Sequence, residues 1–493
     1  MVIYITVWAP RQTGKTWVLQ EALFRLQADA RFDVVKLNLQ HLKRATTTEA
    51  IQVITAEIAT ALNKPLPQPE HLQGFEAIFS QGVLEKPLIL ILDEFDALSE
   101  ESISDIAGVL RNIYLRRQQE IDKPTGQKSY LLHGVALLGV RAVLGIENAT
   151  GSPFNIQRSL HIPNLTHAEV DGMFKWYEQE SGQDVEQAVI DRVFGETQGQ
   201  PGLVGWLGEL LTEPYNAHQP GITLSDFEIA YTAAINALPN NYIINIISKA
   251  KQEPHKQLVL ELFKTHLRLP FRYDDPSINF LYMNGVVDQQ IEDPTTRYLK
   301  FASPFVQKRL FNYFAFELFR SPGRLYDPFD DLRDTITDTD LYVTQLMRRY
   351  EQYLQANRSW LFKSAPRRKT DEHIFEAVYH FNLYMYLMQF LQSYDSRVTS
   401  EFPTGNGKLD LLIEHAGHLY GLEVKSFVNQ HEYQKALGQA ARYANQLQLA
   451  EIALVLFVEQ VGDANRQKFE VTYVDANTGV TVQPVFVATG PQG

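Results

Sequence analysis

Two hydrophobic patterns alternate along the chain. Short unbroken apolar runs occupy residues 2–8, 34–39, 88–92 and 131–140. Runs apolar on both faces at this length read as strands in the interior of a parallel sheet. Between and after them apolar residues recur at helical spacing. WVLQEALFRL follows the first strand, 166–180 opens with Thr166 and Glu169 spaced as a capping box, and 184–194 continues the pattern. Three prolines between Asn63 and Glu70 mark a surface loop. These features predict a doubly wound α/β domain. Farther on, 255–265 is helical, while 280–287 and 298–301 flank the polar turn Asp293-Pro294 as the arms of a hairpin. Residues 321–338, rich in acids with Pro and Gly, read as a connection. A helix then starts at Thr370-Asp371-Glu372 and runs through FEAVYHFNLYMYLMQFL. A strand at 407–413, a turn at 414–417 and a return strand at 418–425 make a hairpin, and a further strand covers 452–458.

At 493 residues the chain needs two to four domains. Its 45% apolar and 21% charged residues place it among soluble globular proteins. A formal net charge of -13 argues against wholesale coating of nucleic acid but leaves room for a local groove of opposite sign. With no cysteine, disulfides and thiolate metal sites are excluded, and an intracellular enzyme is the default. The opening MVIYITVWAP is too short to span a membrane and lacks the basic start of a secretory signal. A cytoplasmic protein without a membrane partner is expected.

Between the first strand and its helix lies Ala9-Pro10-Arg11-Gln12-Thr13-Gly14-Lys15-Thr16, the Walker A pattern with alanine in place of its first glycine. Phosphate binding requires a tight loop whose N–H groups face the anion at a helix N-terminus. Gly14 gives room for that approach, Lys15 supplies a mobile charge, and Thr16 can ligate Mg²⁺. Arg11, Gln12 and Thr13 complete the cradle. The run 88–92 ends in Asp93-Glu94, which predicts Asp93 on Mg²⁺ and Glu94 on the attacking water. A GKT in an ordinary turn and an acidic turn after a core strand are the bland counterparts, and the pairing of the two motifs weighs against both. Arg141, after the strand at 131–140, faces phosphate or makes a surface ion pair; the sequence leaves both open.

Together APRQTGKT, LILILDEFDAL, GSPFNIQRSLHIPNL and the segment Gly199-Gln200-Pro201-Gly202-Leu203-Val204 resemble AAA-like ATPases related to the signal-transducing (STAND) class of P-loop NTPases, over about residues 1–315. The resemblance implies ATP and Mg²⁺ as ligands, and a Gly-x-Pro lid motif that touches nucleotide through Pro201. It also implies a winged-helix module over 251–320, expected as a packed relay rather than a DNA reader. The chain begins almost at the first strand, so the nucleotide-contacting segment usual upstream of it in the class is not seen.

In the last part of the chain Glu423 and Lys425 alternate around Val424, so both face one side of a strand. Asp410 sits among leucines. Buried charges are costly unless paired or bound to metal. Asp410 and Glu423 offer hard oxygen ligands for Mg²⁺, or alternatively Mn²⁺, and Lys425 can position the water that attacks phosphorus. A surface ion pair is the bland counterpart. Glu376 on the preceding helix, Asp410, Glu423-Val424-Lys425, and Gln439 with Tyr443 one helical turn apart resemble the PD-(D/E)xK nuclease superfamily over about 365–475. That resemblance implies Glu376, Asp410 and Glu423 as metal ligands, and Lys425, Gln439 and Tyr443 as catalytic groups. Lys363, Arg367, Arg368 and Lys369 either touch backbone phosphates or form a solvated linker.

The expected organisation is a P-loop NTPase core at 1–165, a helical lid at 166–250, a winged-helix-like region at 251–320, a connection at 321–364 and a restriction-endonuclease-like α/β domain at 365–493. The expected function is an ATPase module that controls a metal-dependent DNA phosphodiester hydrolase, suited to defence or genome maintenance. The alternative is a non-cleaving ATPase switch or scaffold whose last domain only binds nucleic acid or protein. DNA is the expected partner, with RNA, a homo-oligomer or a regulatory protein as further partners.

Overall fold

The computed structural model describes residues 3–10, 12–139, 158–263, 268–369, 372–400, 410–427 and 429–490. The chain forms two compact units. The first comprises residues 1–166 with 200–203 and 283–285, and the second 167–199, 204–282 and 286–493.

The first unit is built on five strands: β1 (Ile3–Trp8), β2 (Asp33–Asn38), β3 (Leu88–Asp93), β4 (Leu132–Gly139) and β5 (Arg158–His161). They lie in the order β2-β3-β4-β1-β5, all parallel. Helices α1 (Lys15–Gln27), α2 (Thr47–Leu62), α3 (Leu72–Ala77) and α4 (Glu100–Gln119) cover the sheet. Alternation along the strands divides the apolar residues between its faces. Leu88, Leu90, Leu92, Val35, Leu37, Val135 and Leu137 pack with Ile51, Ile54, Phe75 and Ile106 of α2–α4. Ile91 and Leu138 turn the other way, onto Leu19 of α1. Fully burying one such side chain contributes roughly 1.5–3 kcal/mol, so the unbroken apolar run of β3 is what anchors the sheet. The expected doubly wound architecture is present. The strand expected at 131–140 ends at Gly139, and Arg141 lies outside the described residues, as does Arg11.

The second unit opens with α5 (His167–Ser181), strand β6 (Asp184–Val185), α6 (Gln187–Thr197), the body of α7 (Pro201–Thr212), strand β7 (Gly221–Ile222), α8 (Leu224–Asn236) and α9 (Asn241–Ala250). The helix expected at 184–194 thus begins later, because 184–185 are spent on pairing with β7. Next come α10 (His255–Leu262), α11 (Pro276–Met283), and the antiparallel pair β8 (Val287–Ile291) and β9 (Arg297–Phe301). Residues 280–283 of the expected hairpin arm at 280–287 are the end of α11. Gly285 at φ 74 turns the chain out of that helix, and the strand starts only at Val287.

Two long helices, α12 (Pro304–Phe319) and α13 (Val343–Leu361), lead to α14 (Glu376–Phe390). Thr370 and Asp371, expected to start α14, lie outside the described residues. Glu372 sits at φ 60 and Phe375 is the N-cap, so the helix begins at Glu376, later than its capping pattern suggested.

A six-stranded sheet follows in the order β10 (Ser396–Ser400), β11 (Leu411–His415), β12 (His418–Ser426), β13 (Glu451–Val458), β15 (Thr481–Ala488) and β14 (Tyr473–Val474). β11 runs antiparallel to both of its neighbours, β10 and β12, while β12, β13 and β15 run parallel. Helix α15 (Gln430–Gln446) makes the crossover from β12 to β13, and the short α16 (Asp463–Phe469) follows β13. Ala436, Ala440, Ala441 and Ala444 let α15 lie close against Ile452, Leu454 and Leu456 of β13. On the opposite face Phe457 meets Tyr350 of α13 and Tyr379 of α14. The turn expected at 414–417 is only Ala416-Gly417, both at positive φ; Glu414 and His415 belong to β11.

Candidate functional site

Two sites emerge, one in each unit. In the first, Trp8 ends β1 and the chain turns through a loop in which Gln12 (φ 57) and Gly14 (φ 79) are left-handed. Ala9 is fully buried, which explains how a small residue other than glycine serves there. Gly14 is the N-cap of α1 and no side chain caps that helix, so its first turn presents backbone N–H groups to an anion. The Lys15 amine donates to the carbonyls of Ala9 (2.8 Å) and Pro10 (3.2 Å), and the Thr13 hydroxyl donates to Pro10 (2.7 Å). These bonds curl the loop around a cavity of about 500 Å³ lined by residues 12–17, Gln40, Glu94, Pro201 and Gly202.

Of the residues expected here, Gln12, Thr13, Gly14, Lys15, Thr16, Glu94 and Pro201 line this cavity together. Asp93 does not line it. Its carboxylate, at the end of β3, accepts from the Glu94 N–H (3.1 Å) and lies 3.9 Å from the Lys36 amine. Glu94 is left-handed at φ 54, which turns the chain at the carboxyl end of β3, where parallel sheets bind their ligands. Trp17 and Gln40 are additions that the motif did not contain. Gln200 is another: its side-chain amide donates to the Gln12 carbonyl (3.1 Å). Only its place inside the Gly-Gln-Pro-Gly segment hinted at a role.

In the second unit Asp410, 3% exposed, stands one residue before β11 rather than within it. Its Oδ2 accepts from the Val424 N–H of β12 (2.8 Å), and its Oδ1 is buried with no hydrogen-bond partner among the described residues. Glu423 is completely buried and pairs with Lys425 at 2.9 Å, so the surface ion pair is not what the strand carries. Burial works against the charge on Lys425, but the Glu423 and Asp410 carboxylates outweigh it and hold the amine above its ordinary range. Tyr443 is pushed up by burial, against the hydrogen bond from Gln439 that stabilises its anion; Glu423, Lys425 and Asp410 are all close enough to act on it. Asp410, Glu423, Lys425, Gln439 and Tyr443 therefore form one neighbourhood.

Glu376 does not complete a metal shell. Its Oε1 accepts from the Ser426 N–H (2.9 Å), and among the described residues no three His, Asp or Glu side chains gather where one ion would reach them. The expected set of three carboxylates around one ion is therefore not found among the described residues. No described helix is long and apolar enough to cross a membrane.

Residues 4–123 match the family of AAA domains. No curated protein matches the chain. Similar solved structures include the Aeropyrum pernix ORC1 protein in complex with DNA, at 16% identity and TM-score 0.32, covering 62% of this chain and 86% of that one. The Walker-type ATPase PABY2304 of Pyrococcus abyssi has 14% identity and TM-score 0.38, covering 62% and 90%. The RuvB Holliday junction branch migration motor of Thermotoga maritima has 13% identity and TM-score 0.34, covering 61% and 85%. With the parallel sheet, the phosphate loop and the matched family in agreement, the first unit has an AAA-type P-loop NTPase fold.

Proposed function

We propose that the chain is a nucleotide-operated switch whose first unit binds and hydrolyses ATP and whose C-terminal α/β fold engages nucleic acid, with DNA as the first candidate. The observation that carries the nucleotide part is the convergence of residues 12–16, Glu94 and Pro201 on one cavity. The phosphates of ATP fit the N–H groups at the head of α1, and the Lys15 amine, bonded to loop carbonyls, is placed to exchange those bonds for phosphate oxygens. Thr16 is the lining side chain that would hold Mg²⁺, with Asp93, outside the lining, reaching it through water; the ion would supply charge neutralisation for the phosphates. Glu94 takes the proton of the attacking water as an oxygen bonds to the γ-phosphorus and the bond from that phosphorus to the departing ADP oxygen breaks. Lys15→Ala is expected to weaken ATP binding roughly 10- to 100-fold by calorimetric titration. Glu94→Gln is expected to keep ATP binding while phosphate release falls roughly 10²- to 10⁴-fold. Phosphate release unaffected by either change would end the ATPase reading.

A second reading, that the last domain cuts what it binds, is favoured by the buried Asp410 Oδ1 beside Glu423 and Lys425. The order of α14, antiparallel β10–β12, α15 with Gln439 and Tyr443, and parallel β13 supports the resemblance to PD-(D/E)xK nucleases. Asp410 and Glu423 would be the side chains to hold one Mg²⁺ or Mn²⁺, which would supply Lewis-acid activation of the phosphodiester. Lys425 would hold the attacking water and offset charge on the phosphorus oxygens. Incubation of DNA and RNA with Mg²⁺ or Mn²⁺, comparing the native chain with Glu423→Gln, separates the readings. Metal-dependent scission lost in the variant supports cleavage; intact substrate that is nevertheless retained in gel-shift leaves binding without cutting.

A further inference from the structure

We propose that Gln200 and Gly202 form a latch on the phosphate loop, positioning residues that hold the loop in its receptive shape; this rests on the ATP reading above. Gln12 is a non-glycine residue at φ 57, a conformation that costs energy unless its surroundings enforce it. The enforcing contacts come from 188 residues farther along the chain. The Gln12 carbonyl accepts the Gly202 N–H at 3.0 Å and the Gln200 side-chain amide at 3.1 Å, so both of its acceptor directions are taken. The Gln200 side chain is itself fixed, 4% exposed and with its Oε1 accepting the Leu203 N–H at 2.6 Å.

A trans peptide is planar, with C=O and N–H antiparallel. Pinning the Gln12 carbonyl toward Gln200 and Gly202 therefore turns the Thr13 N–H the opposite way. Losing the latch frees this peptide to rotate and scrambles the donor set before nucleotide arrives. Position 202 also requires glycine for space. A Cβ there would sit 2.6 Å from Gln12 Cβ, 2.7 Å from its Oε1 and 3.2 Å from its carbonyl oxygen.

The test uses the full chain with Gln200→Met and Gly202→Ala, measuring ATP affinity by calorimetry, steady-state phosphate release, and the thermal midpoint without nucleotide. Each variant is expected to bind ATP roughly tenfold more weakly, with the loss falling on KM more than on kcat. Gly202→Ala adds the steric test: its Cβ presses on Gln12, so a fall in the midpoint alone, with ATP affinity unchanged, would mark a merely structural role. Native affinity in both variants overturns the latch while sparing the ATPase reading. A native chain that binds no ATP overturns both. A loss of kcat at unchanged KM also overturns the latch, because the residues would then act on the chemical step.

Discussion

Lys425 and Glu423 form a largely buried ion pair, and that fixes how each responds to substitution. Removing one partner of a buried pair strands the other charge, which typically costs about 3–5 kcal/mol, while an apolar or neutral replacement of both is often tolerated. Lys425→Met is therefore expected to lower the urea midpoint sharply, and Glu423→Gln with Lys425→Met to recover most of the loss. A double variant no more stable than the single one would show that the pair does not govern this strand. A different titration operates in the first unit. His133 is half-buried, with a guanidinium nitrogen of Arg117 at 3.4 Å, and burial together with that charge brings its imidazole down to about 4. Unfolded, it titrates near 6.5. Between these values the unfolded chain binds a proton that the folded chain refuses. This contribution is complete above pH 6.5 and is lost as the pH falls toward 4, by about 1–2 kcal/mol after allowance for solvent screening. Urea unfolding across that window should show the slope, and His133→Gln should flatten it.

Elements differ in how plainly their sequences announce them. β3 was legible because five apolar residues, 88–92, end in acids, and the same-side placement of Glu423 and Lys425 followed from strand periodicity alone. The end of α11 was not, since a short apolar run fits a buried helix as well as a strand, and Gly285 at positive φ decides only in three dimensions. The role of Asp410 was hidden for a related reason. Whether it lies inside or just outside the ladder depends on where β11 starts. The contact of Gln200 with Gln12 was not legible because its partner lies 188 residues away in the chain. The start of α2 shows local coding at its clearest: the Thr46 hydroxyl accepts the Glu49 N–H, and the Glu49 carboxylate accepts the Thr46 N–H at 2.8 Å. Thr46→Ala is expected to cost about 1 kcal/mol, read as a small fall in the first unit's thermal midpoint. An unchanged midpoint would mean that packing of Ile51 and Ile54 alone sets the helix.

For the molecule as a whole, two compact units on one chain predict unfolding in more than one step. Ligand that binds only the folded first unit stabilises that unit by about 2.7 kcal/mol when present at 100 times its dissociation constant. Scanning calorimetry with saturating nucleotide should thus raise one transition and leave another in place, and Lys15→Ala should abolish the shift. A single transition moving as one body would mean that the units melt together. The carboxylate of Asp410 has a last consequence. Because its Oδ2 accepts the Val424 N–H, the Asp410 side chain has a part in holding β12 that is separate from any reactivity. In comparing descendants of this gene, persistence of that acid is thus no marker of a working blade; joint survival or joint replacement of the glutamate and lysine on the neighbouring strand is the informative trait.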